Sequence, residues 1–160
     1  MRDFVKLEGF VVVRQGKNVL ARSRNHFVSG GLKALAAFLM MPDTAGYAFS
    51  DATMRVGTNT VTATAFSTVE LTAKVDIAPD TLSSDLSPGS NYHEAKFTAT
   101  WDAGVITDTI GEAGLYLYNL LETAQVLFSR LSVADDDFYP FTPAPALPLT
   151  VEWYVRFTFE

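Results

Sequence analysis

The feature that most restricts the fold of this chain is a strict two-residue alternation at its C-terminal end. From residue 147 to residue 160, large apolar residues alternate with mostly polar ones. Successive side chains of a β-strand point to opposite faces, so this pattern predicts a long strand with one buried face. The predicted buried face carries Leu147, Leu149, Val151, Trp153, Val155, Phe157 and Phe159.

Two other stretches show the same period. Residues 93–101 alternate between apolar and polar side chains, and residues 5–14 do so with four aliphatic residues on one face. Phe10 and Val12 interrupt the polar face of the second stretch, which indicates that a neighbour covers part of it. Residues 15–18 are typical of a hairpin turn into a strand over 18–22. Weaker patterns predict strands at 52–57, 67–75, 113–118 and 125–132.

One stretch has helical spacing. Apolar residues recur every three or four positions between Leu32 and Met40, as on the buried face of an amphipathic helix. Ser29 can cap the first turn, and Pro42 lies just beyond the last one. The two glycines after Ser29 would either weaken the first turn or allow close packing on a sheet. The sequence therefore predicts one short helix over about 29–41.

Many short strands with turn signals and a single helix are typical of two packed layers of sheet. The chain has 160 residues, which fits one domain. The sequence therefore predicts a mainly β fold: an antiparallel β-sandwich or jelly-roll-like single domain spanning residues 1–160.

Two segments show neither period. Residues 76–91 are rich in Pro, Ser and Asp and are expected to form a long exposed loop. Residues 134–146 combine acids, prolines and the aromatic residues Phe138, Tyr139 and Phe141. Prolines favour an extended chain, and aromatic rings are costly to leave in water. We therefore expect this acidic, Pro-rich segment to lie as an arm along a partner or along an edge of its own domain.

Charge is distributed unevenly along the chain. Residues 1–41 hold seven Lys or Arg and two acids, a net charge of +5, whereas residues 42–160 hold five and sixteen, a net of −11. The acidic total argues against nucleic acid as the main partner. The basic N-terminal hairpin, residues 1–24, is expected either to dock on an acidic neighbour or to be a solvated face. The cations expected to make that contact are Arg14, Lys17, Arg22 and Arg24.

The sequence offers little chemistry. It has no cysteine and two distant histidines, His26 and His93, and it contains no metal-binding, phosphate-loop or nucleophile-elbow motif. The acidic run 135–137 lacks the spacing of a calcium loop, so a solvated turn is the better interpretation. The sequence contains no run of about 18 apolar residues, which is the length needed to span a membrane. We predict no catalytic residue, no metal and no cofactor.

Several short motifs follow one another along most of the chain. They are Asn25 with a small-residue helix, Val56-Gly57-Thr58, Glu70-Leu71, Glu112-Ala113-Gly114-Leu115, Leu127-Phe128-Ser129-Arg130, and a final strand containing Trp153. This order resembles a widespread group of small structural proteins from tailed-bacteriophage particles. The chain departs from that pattern at Asn59, where a second glycine is usual, and in the length of residues 134–146.

The resemblance implies a non-enzymatic virion protein, made in the cytoplasm of the host bacterium. A head decoration (cement) protein is the leading expectation, with a tail, baseplate or fibre-attachment module as the alternative. A carbohydrate-binding virion component is a further alternative. Cement proteins commonly form trimers on the shell, so the implied partners are copies of the chain and the major capsid protein. The expected contact residues are Arg14, Lys17, Arg22, Arg24, Phe138, Tyr139 and Phe141, and we expect the three rings to be dispensable for folding.

Overall fold

The computed structural model describes residues 5–40, 47–65, 67–68, 70–119, 124–135 and 138–159, which form a mainly β, sandwich-like domain. It has two five-stranded antiparallel sheets and one helix, α1 (Ser29–Met40). The strands within these residues are β1 (Val5–Gln15), β2 (Asn18–Arg24), β3 (His26–Phe27), β4 (Tyr47–Gly57), β5 (Lys74–Val75), β6 (Thr81–Pro88), β7 (Tyr92–Trp101), β8 (Glu112–Asn119), β9 (Ala124–Ser132) and β10 (Leu149–Phe159).

The predicted C-terminal strand is the centre of the first sheet, sheet A. Its order is β2–β1–β10–β7–β6, so β10 pairs with β1 on one side and β7 on the other. Val151, Trp153 and Val155 are buried, while Glu152 and Tyr154 between them are partly exposed. The alternation therefore reports one covered face, as the sequence predicts.

The second sheet, sheet B, has the order β3–β9–β8–β4–β5. Its inner face packs against that of sheet A around Trp101, Trp153, Phe97, Phe128 and Met54. Strand β8 is buried without a break from its first residue to Leu117, which means that both faces of sheet B are covered. Burial on both faces weakens the alternation along a strand.

Helix α1 covers part of sheet B next to β9. Ser29 is its first helical residue, so the predicted bounds are confirmed within one residue at the C-terminal end. A Cβ atom placed on Gly31 would lie 2.2 Å from the carbonyl oxygen of Phe128 in β9. The glycine is therefore required by the close approach of the helix to the strand backbone.

Among the described residues of the range 67–75, the predicted strand is wrong except for Lys74–Val75, and Val69 lies outside the described residues. The amides of Leu71, Thr72 and Ala73 donate to side chains of β8 instead of to a strand. Those bonds satisfy the backbone without a ladder.

The prediction of an exposed loop over 76–91 is wrong as well. Residues 81–88 form β6, which pairs along its length with β7. All eight side chains of β6 are exposed. Because the strand has no buried face, its sequence does not need to alternate between apolar and polar residues. The strand is held by its backbone hydrogen bonds rather than by a covered side-chain row.

The segment 134–146 follows the domain's own surface where the structure describes it. Phe141 exchanges two backbone hydrogen bonds with Ile110. The side-chain amide of Gln15 donates to the carbonyl oxygen of Ala144 and accepts from its N–H, both at 2.9 Å. These bonds attach the segment to one end of the sandwich. Asp136 and Asp137 lie outside the described residues.

We predict that Gly31→Ala lowers the free energy of unfolding by about 1–3 kcal/mol. Alanine normally stabilises a helix relative to glycine by about 1 kcal/mol, but here the methyl group would meet the backbone of Phe128. Ala36→Gly, at an exposed position of the same helix, is the reference for propensity alone. Denaturant unfolding of both variants measures the difference, and a stabilised Gly31→Ala protein would contradict the packing shown for α1.

Candidate functional site

A fully buried ion pair between Glu112 and Arg130 joins β8 to β9. Both side chains have 0% exposure. Nη2 and Nε of Arg130 lie 2.6 and 3.1 Å from Oε2 of Glu112. Glu112 is in register with Ser132, and Arg130 with Gly114, so the pair lies diagonally across the two strands. The sequence left open whether Arg130 pairs within the chain or between subunits, and the structure shows a partner on the neighbouring strand.

The remaining hydrogen bonds of the pair go to the covering segment, which we define as residues 58–73 between β4 and β5. The carboxylate accepts from the N–H of Ala73 at 2.6 Å and of Thr72 at 3.2 Å. The guanidinium donates to the carbonyl oxygen of Thr62 at 3.0 Å and to Oγ1 of Thr64 at 3.3 Å. Each charged group is thus satisfied by its partner and by the segment above it, as buried charges require.

Two further anchors act on the same segment. Asp135 accepts hydrogen bonds from the N–H of Thr64 at 2.9 Å and from its hydroxyl at 2.5 Å. The hydroxyl of Tyr116 donates to Glu70 and accepts from the N–H of Leu71. Asp135 is therefore a structural ligand of the covering segment, and not the solvated acid that the sequence predicts.

Asn59 explains the departure from the expected second glycine. Its Oδ1 accepts from the N–H groups of Val61 and Thr62, and its Nδ2 donates to the carbonyl oxygen of Thr62. The side chain therefore closes the turn that opens the covering segment. Gly111 lies beneath it, where a Cβ atom would stand 2.3 Å from the carbonyl oxygen of Asn59.

A second polar cluster links the two sheets at Asn25. This buried residue separates β2 in sheet A from β3 in sheet B. With the amide oriented to satisfy all its neighbours, Nδ2 donates to the carbonyl oxygen of Gly9 at 2.9 Å, and Oδ1 accepts from Ser129 at 3.1 Å and from the indole N–H of Trp153. One side chain therefore joins β1, β9 and β10 at the crossover.

The hydrogen bonds of these clusters hold the covering segment and the crossover in place. Burial, together with the hydrogen bond to Glu70, raises the pKa of Tyr116, so its hydroxyl stays a neutral donor. Leu71 packs with Tyr116, Val28 and Leu127 in a small apolar cluster separate from the main core. Within the described parts of the chain, no group of three or more His, Asp or Glu residues is placed to hold a metal ion.

The structure divides the predicted basic contact residues into two groups. Arg14 donates from Nε to Glu152 at 2.9 Å and is therefore engaged within sheet A. Lys17 lies exposed in the turn between β1 and β2, and Arg22 and Arg24 lie exposed on β2. These three cations form a positive edge of sheet A.

The predicted aromatic contact residues are divided as well. Phe138 and Phe141 are partly buried and pack against the main core. Tyr139 is 91% exposed, although both its flanking rings are anchored. The structure thus exposes one ring of the three to solvent, and the other two pack against the core.

The outer face of sheet A carries an aromatic and cationic row that sequence reasoning missed. The rings of Phe10 and Tyr154 stack with centroids 4.2 Å apart and an interplanar angle of 9°. The guanidinium carbon of Arg156 lies 4.3 Å from the ring centroid of Tyr92, and Nζ of Lys96 lies 5.5 Å from that of Tyr154. The interruption of the polar face at Phe10 was the only signal of this arrangement.

Comparison with protein-family models, with curated proteins and with solved structures finds no match to this chain. Within the described residues, no helix has the length and apolar character needed to cross a membrane. The function therefore has to be inferred from the residues and their geometry.

We predict that Arg130→Met lowers the free energy of unfolding by about 3–5 kcal/mol, because Glu112 would remain buried without its countercharge. Arg156→Met is the control at a partly exposed site: it removes the pair with Glu94 at 2.6 Å and the contact with the ring of Tyr92, and its loss should cost about 1–2 kcal/mol. Denaturant unfolding gives both values, and hydrogen exchange should show lost protection at the amides of Thr72 and Ala73. Equal losses in the two variants would contradict the anchoring role.

We also predict a specific acid dependence at Glu152. Burial works to raise the pKa of this carboxyl, but hydrogen bonds from Lys96 and Arg14 outweigh it, and the pKa lies below its ordinary value of 4.5. Such a group stabilises the fold above its unfolded pKa, and that contribution is lost as the pH falls through the folded pKa.

Glu152→Gln should therefore be less stable than the native chain at pH 7 and should lose less stability on acidification below about pH 4.5. Thermal unfolding across that pH range measures the effect. Asp108→Asn, at an exposed loop position, is the control for removal of one carboxylate. Parallel pH curves for Glu152→Gln and the native chain would refute the assignment.

Proposed function

We propose that this chain is a non-enzymatic structural protein of a tailed-bacteriophage particle, and that it decorates the outside of the head as a cement protein. It acts mechanically, by bridging neighbouring subunits of the shell through many shallow contacts. Repetition over a lattice makes such contacts strong through multivalency.

The observation that carries this proposal is the convergence of the resemblance motifs in space. Glu112 and Arg130 come from two of the motifs and form one ion pair. Together they hold the covering segment, which begins in the Val-Gly-Thr motif and ends near Glu70-Leu71. Residues separated by many positions in the sequence therefore build one frame, which supports a shared fold as the source of the resemblance.

A second convergence supports the same proposal. Asn25 and Trp153 belong to two further motif stretches, and they meet Ser129, from the same motif as Arg130, at the crossover between the sheets. Several of these side chains bind backbone groups directly, among them those of Gly9, Thr62, Thr72 and Ala73. A group of residues that fixes a scaffold in this way is suited to a protein whose function is to present surfaces.

Two surfaces are available for presentation. Tyr139 is exposed on a segment whose neighbouring rings are anchored, and an aromatic side chain held in this way gives contact area at low entropic cost. The positive edge of Lys17, Arg22 and Arg24 offers a complementary contact to an acidic neighbour. We assign Tyr139 to the shell and the positive edge to a neighbouring subunit.

The experiment that tests the location is immunogold electron microscopy, with antibody against this chain, on particles purified from a culture in which the encoding genome replicates. Label over the heads supports the cement role. Label confined to the tail or its tip favours the tail, baseplate or fibre-attachment module. Particles without label overturn the assignment to the virion, and glycan binding by the purified protein would then favour the carbohydrate-binding alternative.

We predict that Tyr139→Ser weakens binding of the purified chain to heads that lack it by about tenfold, with little change in thermal stability. Phe141→Ser should instead lower stability by about 2–4 kcal/mol, because Phe141 packs on the core. Val61→Ser, at an apolar position that is 85% exposed, is the matched control and should bind normally. Normal head binding by Tyr139→Ser would remove this residue from the contact surface.

A further inference from the structure

We infer that copies of this chain associate head to tail through sheet A, with strand β2 of one copy pairing with strand β6 of the next. The inference goes beyond the proposed function, because it concerns a second copy of the chain in the absence of any shell.

Both edges of sheet A are open among the residues that the structure describes. Strand β2 pairs only with β1, and β6 pairs only with β7. An edge strand exposes a row of backbone N–H and C=O groups that can pair with another chain. Strand β2 has a register shift opposite Val13 and Arg14, so its regular edge is residues 21–24, whereas β6 pairs with β7 along eight residues.

Apolar side chains on both edges lack cover. Leu82 and Leu86 stand opposite the inward-facing Ala99 and Ala95, yet they are 38% and 74% exposed. On the other edge, Val19 and Leu20 are 51% and 39% exposed. Leu82 and Leu86 lie on the inner face of the sheet, whereas Val19 pairs with Arg14 of the outer face. A neighbouring strand would therefore remove apolar area from water at each edge without bringing the four side chains into one cluster.

The two edges carry opposite charge. The positive edge consists of Lys17, Arg22 and Arg24. At the opposite edge of the sheet, Asp85 lies in β6 and Asp80 directly precedes it. Strand β6 itself contains no Lys or Arg. Among the described ion pairs, none includes Arg22, Arg24, Asp80 or Asp85. Complementary charge of this kind selects partner and register.

The register places these charges on one face. A single cross-strand row on the outer face of sheet A runs through Arg24, Phe10, Tyr154, Lys96 and Asp85. It begins with a cation at one edge and ends with an anion at the other. A second copy that continues the sheet therefore places an Arg and an Asp on the same face of the new strand pair.

The strand directions determine the kind of assembly. Four antiparallel steps separate β2 from β6, so the two edges run in the same direction. A copy added in the same orientation pairs them in parallel, and repetition gives a closed ring or a filament. Pairing of two identical edges would instead bring like charges together, which is unfavourable.

Charge reversal tests the pairing. Sedimentation velocity from about 1 to 200 µM should show reversible association of the native chain, in the range expected for weak contacts. Arg24→Asp and Asp85→Arg should each weaken it by about tenfold or more, and both changes in one chain should restore it. Lys33→Asp and Asp108→Arg, at exposed positions away from both edges, are the matched controls and should associate normally.

Three outcomes would overturn the inference: a native chain that is monomeric throughout, a double reversal that does not recover, or an Arg24→Asp chain that associates more tightly than the native one, which indicates pairing of like edges. A native chain that is monomeric alone but labels phage heads would leave the proposed function standing.

Cross-linking gives an independent measurement, because the chain contains no cysteine. Arg24→Cys and Asp85→Cys chains should form a disulfide-linked dimer under mild oxidation when they are mixed. Each variant alone should cross-link far less. Equal cross-linking of the mixture and of the separate variants would also refute head-to-tail pairing. Circular dichroism of each variant checks that these exposed substitutions leave the fold intact.

Discussion

The buried ion pair between Glu112 and Arg130 is the interaction on which the covered side of the sandwich depends. A buried ion pair adds little net stability, because desolvation offsets most of the attraction. Its effect is directional: the carboxylate and the guanidinium hold the covering segment at Thr62, Thr72 and Ala73. The pair therefore selects one path for a segment with little regular structure of its own, and that path buries the outer face of sheet B.

The parts of the fold that could be predicted are those in which one strand face is covered and the other is wet. Strands β10 and β7 meet that condition, and their alternation gave their positions within two residues. Strand β6 does not, because neither of its faces is buried, and its sequence is indistinguishable from that of a loop. The path of the covering segment could not be predicted for a different reason. Its backbone amides bond to side chains of β8, which are distant in sequence, and no local pattern indicates such bonds.

The candidate site shows the same division. Glu112 and Arg130 each belong to a motif visible in the sequence, but that they pair with each other follows only from the register of β8 against β9. The sequence alone could not show that Tyr139 is exposed while Phe138 and Phe141 are partly buried, because this difference depends on the bridge between Phe141 and Ile110. Residue types that look alike in a sequence acquire different roles when one neighbour is hydrogen-bonded and the next is not.

The two sheets differ in a way that bears on assembly. Sheet B is covered on its outer side by α1 and by the covering segment, so β8 from Glu112 to Leu117 and the second half of β9 are buried on both faces. Sheet A has a solvent-facing outer surface and two open edges, and its cross-strand row runs from Arg24 to Asp85. Polar groups in the covered half are used to fix backbone, whereas charges in the open half remain at the surface. A chain built in this way directs its interactions through one sheet, which is the arrangement that repeated subunit contacts require.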